Sequence, residues 1–530
     1  MKKYYYLIIL ISLIALWPFF KTGYFESHDG QWMVIRFSAF HQTLADGQFP
    51  VRFVDRLNNN YGYPVLNFLY PLPFYLAEIP KVLGFGFVDS IKIIFAVSTI
   101  ASSVFMFWAL SQFFGKYASF TGAIVYLFVP YRFLDIYVRG SLGENLAFAF
   151  APLILGSVFK IAKGKKLFFP LLSIFVAGLI LSHNVMAVLF LPLFLLVILT
   201  TIKKRIPVVL AFLGLGILAS AFFWLSALYD LQFVHLSQIK ISNIEDYLVN
   251  VTKLIWPTWG YGPNPNATSG LSVQLGIVTI SVFIGTVLLK LTTKYKNFLI
   301  DALLIVFVLI FVLLTKYSLS IWKLIPYLDI IQFPFRLLSL VVFISAIFSA
   351  FIVSLNRNKI VLAILLVLAS ILSTIIYTKP MSFVNKGDAY YSTNEDTTTV
   401  KDEYLPLWVS EKPNTRAVNK IEVASGDAKI YEREIKHSFY SADIKAQEES
   451  IIKVNSIYFP GWEVRENGRK VPISYQNKYG LITFKLSAGI HKVIINYARS
   501  PVHRLSEYIS LLAFFVIGGY FYFLWQRKNS

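Results

Sequence analysis

Acidic, basic and imidazole side chains gather at a few points of an otherwise apolar chain. The first is Tyr24-Phe-Glu-Ser-His-Asp29-Gly-Gln-Trp32, followed by Arg36. Glu26, His28 and Asp29 stand just beyond the first apolar run. A carboxylate there could deprotonate a hydroxyl or hold a divalent cation such as Mg2+ or Mn2+. Asp29 ahead of Gly30-Gln31-Trp32 would equally suit a helix N-cap. The second point is Tyr131 to Asn145, with Arg132, Asp135, Arg139 and Glu144 in apolar surroundings. Ionisable groups at membrane depth are costly and are functional or paired. An Arg139–Glu144 or Arg132–Asp135 pair that only locks helices is the plainer reading. His183-Asn184 occupies a very short turn between two apolar runs, where a merely polar turn is the plainer alternative. Gln332-Phe-Pro-Phe-Arg336 opens another run. Arg336 could clamp an anionic lipid phosphate or simply snorkel at the interface.

The elements that must position these residues are apolar helices. The chain has 530 residues, 56% of them hydrophobic and only 15% charged, against about a quarter charged in soluble domains. About twelve runs, from Tyr4–Phe20 to Leu505–Trp525, approach the ~20 residues that cross a bilayer. The expected fold is a polytopic α-helical membrane protein.

Basic linkers give the register. Lys160 to Lys166, Lys203 to Arg205, Lys290 to Lys296, Arg357 to Lys359 and Arg527-Lys528 fall at alternate connections. All can then be cytoplasmic, with both termini inside. Tyr63–Phe85 would break this register if it crossed. Pro64, Pro71, Pro73 and Pro80 punctuate it, and Glu78 and Lys81 interrupt it. Proline removes donors and disrupts helix interiors, so an interfacial or re-entrant element is expected. The register places the first loop, the Tyr131–Glu144 loop, the His183 turn and Arg336 on one extracytoplasmic face.

Five segments follow from this reading. They are a first span (1–20), an extracytoplasmic loop with interfacial helices (21–89), a transmembrane core (90–379), an extracytoplasmic β-rich domain (380–501) and a last span with a basic tail (502–530). The β-rich part alternates along Ile451–Ile457 and Leu481–Leu486, and Asn467-Gly468 reads as a tight hairpin turn. A small antiparallel sandwich is expected, with docking or stability as its plainest role.

The net charge of +20 sits largely in the short linkers, and no nucleic-acid motif accompanies it. The absence of cysteine excludes disulfides and thiolate chemistry. Convergence of carboxylates, arginines, His and Asn on one face suits an enzyme that takes a lipid-carried substrate. A lipid or polysaccharide flippase also needs charges facing a cavity, though no repeat between halves is visible. A non-enzymatic envelope scaffold would leave the charges scattered or paired off.

Several stretches carry a family resemblance. They are Asp29 with Arg36, Leu44–Pro50, Tyr61-Gly-Tyr-Pro64 with Tyr70-Pro-Leu-Pro73, Arg139-Gly140 with Glu144, and Ser182-His-Asn184. Gln332–Arg336, Glu403-Tyr-Leu-Pro406 and Tyr458-Phe-Pro-Gly-Trp462 with Asn467-Gly468 add to them. Together they resemble bacterial membrane glycosyltransferases of the GT-C fold. The nearest kinds are YfhO-like proteins and the 6-pyruvoyl-tetrahydropterin-synthase-related membrane proteins; no pterin chemistry is implied. The resemblance implies an enzyme of the plasma membrane moving a hexosyl or pentosyl unit from a polyprenyl-phosphate donor to a glycan or lipid acceptor of the cell envelope. It maps the base or metal ligand onto Asp29 and an assisting carboxylate onto Glu144 or Asp135. Glu26, His28, Arg36, Arg139, His183, Asn184 and Arg336 are the candidate substrate contacts. An Asp-x-Asp pair is missing, since Glu26 and Asp29 stand three apart.

Overall fold

A computed structural model describes residues 1–293, 296–326 and 328–529; Lys294 of the third basic linker lies outside them. The chain is a helical membrane protein with a β-sheet region before its last helix. Among the described residues, six helices are long and apolar enough to cross a bilayer: Phe87–Leu110, Leu142–Ala162, Asn184–Thr201, Pro334–Leu355, Lys359–Tyr377 and Pro501–Lys528. Two bent pairs raise that to eight if each is one span. Lys116–Leu127 meets Pro130–Arg139 at 46°, and Ile206–Ala219 meets Ala221–Phe233 at 62°.

The expected dozen differs from this in length, not in location. Phe168–Ser182, Ile277–Thr293 and Phe298–Leu313 are apolar but shorter. The first helix, Lys2–Ala15, gives way to a 3-10 turn at Trp17 and Pro18. Pro130 sits where one bent pair breaks, as expected of a residue that cannot continue a hydrogen-bond ladder.

Helix direction sorts the charges. The Leu142, Asn184 and Pro334 helices begin at Glu144, His183 and Arg336 and end at the basic linkers near Lys163, Lys203 and Arg357. One end of the bundle therefore carries the candidate site, and the opposite end the lysine-rich turns. The proline-punctuated stretch forms two short helices, Val65–Phe68 and Leu72–Val82, neither long enough to cross.

Among the described residues, ten strands complete the fold: β1 (Tyr24–Phe25), β2 (Phe383–Val384), β3 (Ile421–Ser425), β4 (Ala428–Lys436), β5 (Phe439–Ala446), β6 (Ser450–Ile457), β7 (Trp462–Glu466), β8 (Arg469–Val471), β9 (Leu481–Leu486) and β10 (Gly489–Tyr497). They form a sheet of order β4-β5-β10-β7-β8, a sheet of order β3-β6-β9 and a β1-β2 pair. Inward residues alternate along β5, where Tyr440, Ala442, Ile444 and Ala446 are buried. Tyr440, Ala442 and Ile444 share one core with Ile452, Trp462, Phe484 and Val493. Asn467 and Gly468 turn the β7–β8 hairpin with φ of +47° and +83°, the left-handed pair such a turn requires.

The long first loop is tied to this sandwich. Asp55 Oδ1 accepts from Lys420 Nζ at 2.7 Å and from Tyr440 Oη at 2.5 Å. Asp46 Oδ2 meets His437 Nδ1 at 2.8 Å. Burial lowers the Lys420 ammonium pKa, and Asp55 opposes that shift.

Candidate functional site

Four helix N-termini face one cavity of about 220 Å3. Asp29, Ser141, His183 and Phe333 are N-cap residues of the helices beginning at Gly30, Leu142, Asn184 and Pro334, and all four line the cavity. Unsatisfied N–H groups and the positive helix ends make such a place favourable for an anion. The remaining wall includes Trp32, Arg36, Tyr70, Gln332, Arg336, Thr399 and Glu403.

Asp29 holds its place through the backbone. Its N–H donates to Arg139 O at 2.9 Å. It stands at the N-cap position the sequence suggests, yet its side chain does not cap the helix. No described residue gives the carboxylate a hydrogen bond or an ion pair. The neighbouring Gly140 turns at φ +66°, and a Cβ there would lie 2.4 Å from Ser27 Oγ and 2.9 Å from Gly30 N. Glycine is what lets the two loops approach.

Glu144 lies beneath the cavity, fully buried. Its Oε1 meets Arg139 Nη1 at 2.8 Å and Arg336 Nε at 3.0 Å, while Oε2 accepts from Tyr131 Oη at 3.0 Å. Arg139 Nη1 also reaches Asp135 Oδ1 at 2.9 Å. Arg336 donates further to Ile331 O and Gln332 Oε1. Of the two pairs the sequence offers, Arg139–Glu144 forms. Asp135 takes Arg139 rather than Arg132 as partner. Arg132 instead packs 4.1 Å over the Phe148 ring and donates to Ser102 Oγ and Asn145 Oδ1.

His183 stands in the turn between two helices. Its Nδ1 accepts from Met186 N at 3.3 Å as the helix cap, and its Nε2 lies 3.7 Å from Glu144 Oε1. Burial pushes its pKa down to about 3; Arg336 and Arg139 add to this and Glu144 opposes it. A neutral ring agrees with an accepting Nδ1. Asn184 lines the cavity and donates to Phe68 O at 3.2 Å.

The candidate residues therefore separate into three groups. Asp29, Arg36, His183, Asn184 and Arg336 line one cavity. Glu144, Arg139 and Asp135 form the buried charge cluster below it. Glu26 and His28 are engaged elsewhere: Glu26 Oε2 accepts from Ser382 Oγ at 2.5 Å, and His28 Nε2 meets Tyr261 O at 2.7 Å.

Thr399, Val400, Glu403 and Tyr404 also belong to the wall. They come from a strap, residues 397–404, ahead of the sandwich. Glu403-Tyr-Leu-Pro406 stands out in the sequence as a motif, but nothing local in it points to the Asp29 loop.

A groove of about 490 Å3 lies along the Leu142 helix between Leu72–Val82 and Phe87–Leu110. Leu76, Ile94, Val97, Leu146, Ala149 and Leu153 line it, and it is almost wholly apolar. A larger cleft lies between residues 240–246 and 319–326, but its charged groups are exposed, and Lys323 pairs with Glu245 at 2.6 Å. No group of three or more His, Asp or Glu is gathered for a metal among the described residues.

No family model matches the chain. An uncharacterised protein of Lactococcus lactis subsp. cremoris (strain MG1363) is 24% identical over 246 residues, which span 43% of this chain and 40% of that protein. Among solved structures, the arabinofuranosyltransferase AftD from Mycobacteria is similar at 14% identity and TM-score 0.48, over 74% of this chain and 28% of that one. The oligosaccharyltransferase of Archaeoglobus fulgidus is similar at 12% identity and TM-score 0.38, over 75% and 57%.

Proposed function

We propose that the protein is a membrane glycosyltransferase of the GT-C type. In this reading it moves a hexosyl or pentosyl unit from a polyprenyl-phosphate donor to an envelope glycan or lipid acceptor. The cavity faces the extracytoplasmic side of the plasma membrane, with both termini in the cytoplasm. The observation that carries the reading is an unpartnered carboxylate, Asp29, in a cavity that four helix N-termini and Arg336 make favourable for an anion. Lysine-rich turns at the opposite end of the bundle support the orientation. The apolar groove beside the Leu142 helix suits a prenyl chain.

The chemistry follows from these parts. The Asp29 carboxylate accepts the proton of the acceptor hydroxyl. That oxygen attacks the anomeric carbon from the face opposite the phosphate, with inversion. The bond between the anomeric carbon and the phosphate oxygen breaks, and polyprenyl phosphate leaves with the electron pair. Arg336 and the helix N-termini stabilise the leaving charge. Glu144 acts one step removed, by holding the Arg336 guanidinium in place. Arg139 serves the same buried cluster and does not reach the cavity.

A divalent cation fits only in part. Mg2+ is commonly held by one or two carboxylates with substrate phosphates and waters, and Asp29 could supply one such ligand. Bound there, the ion would add charge stabilisation to the leaving phosphate.

The test is transfer by the purified protein from a panel of polyprenyl-phosphate sugars. Wild type is expected to transfer from at least one donor. Asp29→Asn is expected to fold normally and to lose about 10²–10⁴-fold in rate, the range for removal of a general base. No transfer by wild type with any donor refutes the reading. Full activity of Asp29→Asn removes that residue from the mechanism.

A further inference from the structure

The cavity holds a second carboxylate that the mechanism above does not use. Glu403 is 9% exposed and lines the cavity. Its Oε2 accepts from Lys401 N at 3.2 Å, and no described cation pairs with it. A carboxylate removed from water needs hydrogen-bond donors, and this one has a single weak donor from the protein.

The strap around it is held firmly. Arg36 Nε donates to Thr398 Oγ1 at 2.9 Å, and its Nη2 donates to Thr398 O. Tyr63 Oη and Thr399 Oγ1 lie 2.8 Å apart, and Lys412 Nζ reaches both Asp402 oxygens at 2.9 Å. Leu236 N donates to Glu403 O at 2.8 Å. Tyr404 stacks on Phe68 at 4.9 Å and 6°. Thr398 and Asp402 have φ of +61° and +49°. Positive φ is strained for a β-branched residue, and such strain persists only where neighbours over-determine it.

We infer that Glu403 is the acceptor-positioning residue of the cavity. It takes hydrogen bonds from sugar hydroxyls beside the one that reacts. The inference rests on the transferase reading. Charge assigns the two substrates: an ionised carboxylate is an acceptor only, so it repels a phosphate and receives hydroxyls. The donor phosphate belongs with Arg336 and the helix N-termini. The polyhydroxylated acceptor belongs between Asp29 and the strap.

The experiment uses the full-length purified protein with a polyprenyl-phosphate sugar and a panel of octyl glycosides as acceptors. Glu403→Gln keeps shape and the hydrogen bond from Lys401 N; Glu403→Asp keeps charge. For Glu403→Gln the acceptor KM is expected to rise about 10–100-fold, the range of one hydrogen bond to a charged group. kcat at saturating acceptor and the donor KM should each move less than about threefold, well under the tenfold that 1.4 kcal/mol represents. Glu403→Asp should recover part of the acceptor KM. An unchanged acceptor KM overturns the inference. So does a fall in kcat with KM unchanged, or a rise in donor KM. If wild type transfers and Glu403→Gln matches it, this inference fails alone. If wild type transfers to nothing, the transferase reading fails with it.

Discussion

Replacing Glu144 by Gln removes one negative charge and almost no volume. In the native protein Glu144 pairs with both Arg139 and Arg336, and Arg139 also meets Asp135, all four buried. The variant takes from the buried Arg336 guanidinium its carboxylate partner. Breaking a buried pair from one side costs about 3–5 kcal/mol. Removing the partner as well, in Glu144→Gln with Arg336→Gln, leaves the Arg139–Asp135 pair intact at 2.9 Å and removes the orphaned guanidinium. The two changes should couple by about 1–3 kcal/mol in the favourable direction. Thermal unfolding of the detergent-purified protein, followed by tryptophan fluorescence, measures both. The single variant should melt several degrees lower, and the double variant should regain part of that loss. Strict additivity, or a Glu144→Gln protein as stable as wild type, would refute the view that Glu144 and Arg336 stabilise each other.

Other expectations follow from the same geometry. Gly140→Ala demands φ +66° of an alanine and drives its Cβ towards Ser27 and Gly30. It should destabilise by at least about 1–2 kcal/mol and reduce transfer by displacing Asp29, which unchanged melting and activity would contradict. His183 is neutral when folded, with a pKa of about 3 against 6.5 for the free group. Its contribution to stability is complete above pH 6.5 and is lost as pH falls towards 3, at up to about 1.4 kcal/mol per unit. Melting temperatures of wild type and His183→Gln should therefore diverge at pH 7.5 and converge towards pH 5; parallel curves would refute this. Lys420→Met leaves Asp55 buried with Tyr440 as its remaining side-chain donor. It should cost about 3–5 kcal/mol and raise proteolysis of the tail domain, and an unaltered digestion pattern counts against it.

Much of the architecture could be read from residue order because its signals are local. Apolar runs separated by lysines give the helices and their direction. Asn467-Gly468 marks its hairpin because few residues accept two successive positive φ values. Asp29, His183 and Arg336 were visible because charge or imidazole in a turn between apolar helices is conspicuous. The pairing of Asp135 was not readable. Arg132 and Arg139 stand at three and four residues from it, and the packing of Arg132 on Phe148 settles the choice. The strap was hidden for another reason. Arg36 and Thr398 are 362 positions apart, and no periodicity connects them. Composition does not register where an apolar helix stops short, as the first does before Leu16, so the twelve expected runs correspond to helices of unequal length.

The interval between Glu144 and Arg336 also bears on how the protein is made. These partners are separated by 192 positions. At about 5–20 residues per second of synthesis, the ribosome needs roughly 10–40 s to deliver the second arginine after the glutamate has entered the translocon. Until then Glu144 has Arg139 but lacks the second of its two arginine partners. A nascent chain in that condition has reason to wait at the lipid–water boundary, or beside an insertase, before it settles to full depth. Arrival of the Pro334 helix would complete the ion pairs of Glu144, so the order of translation doubles as an assembly schedule for the cavity.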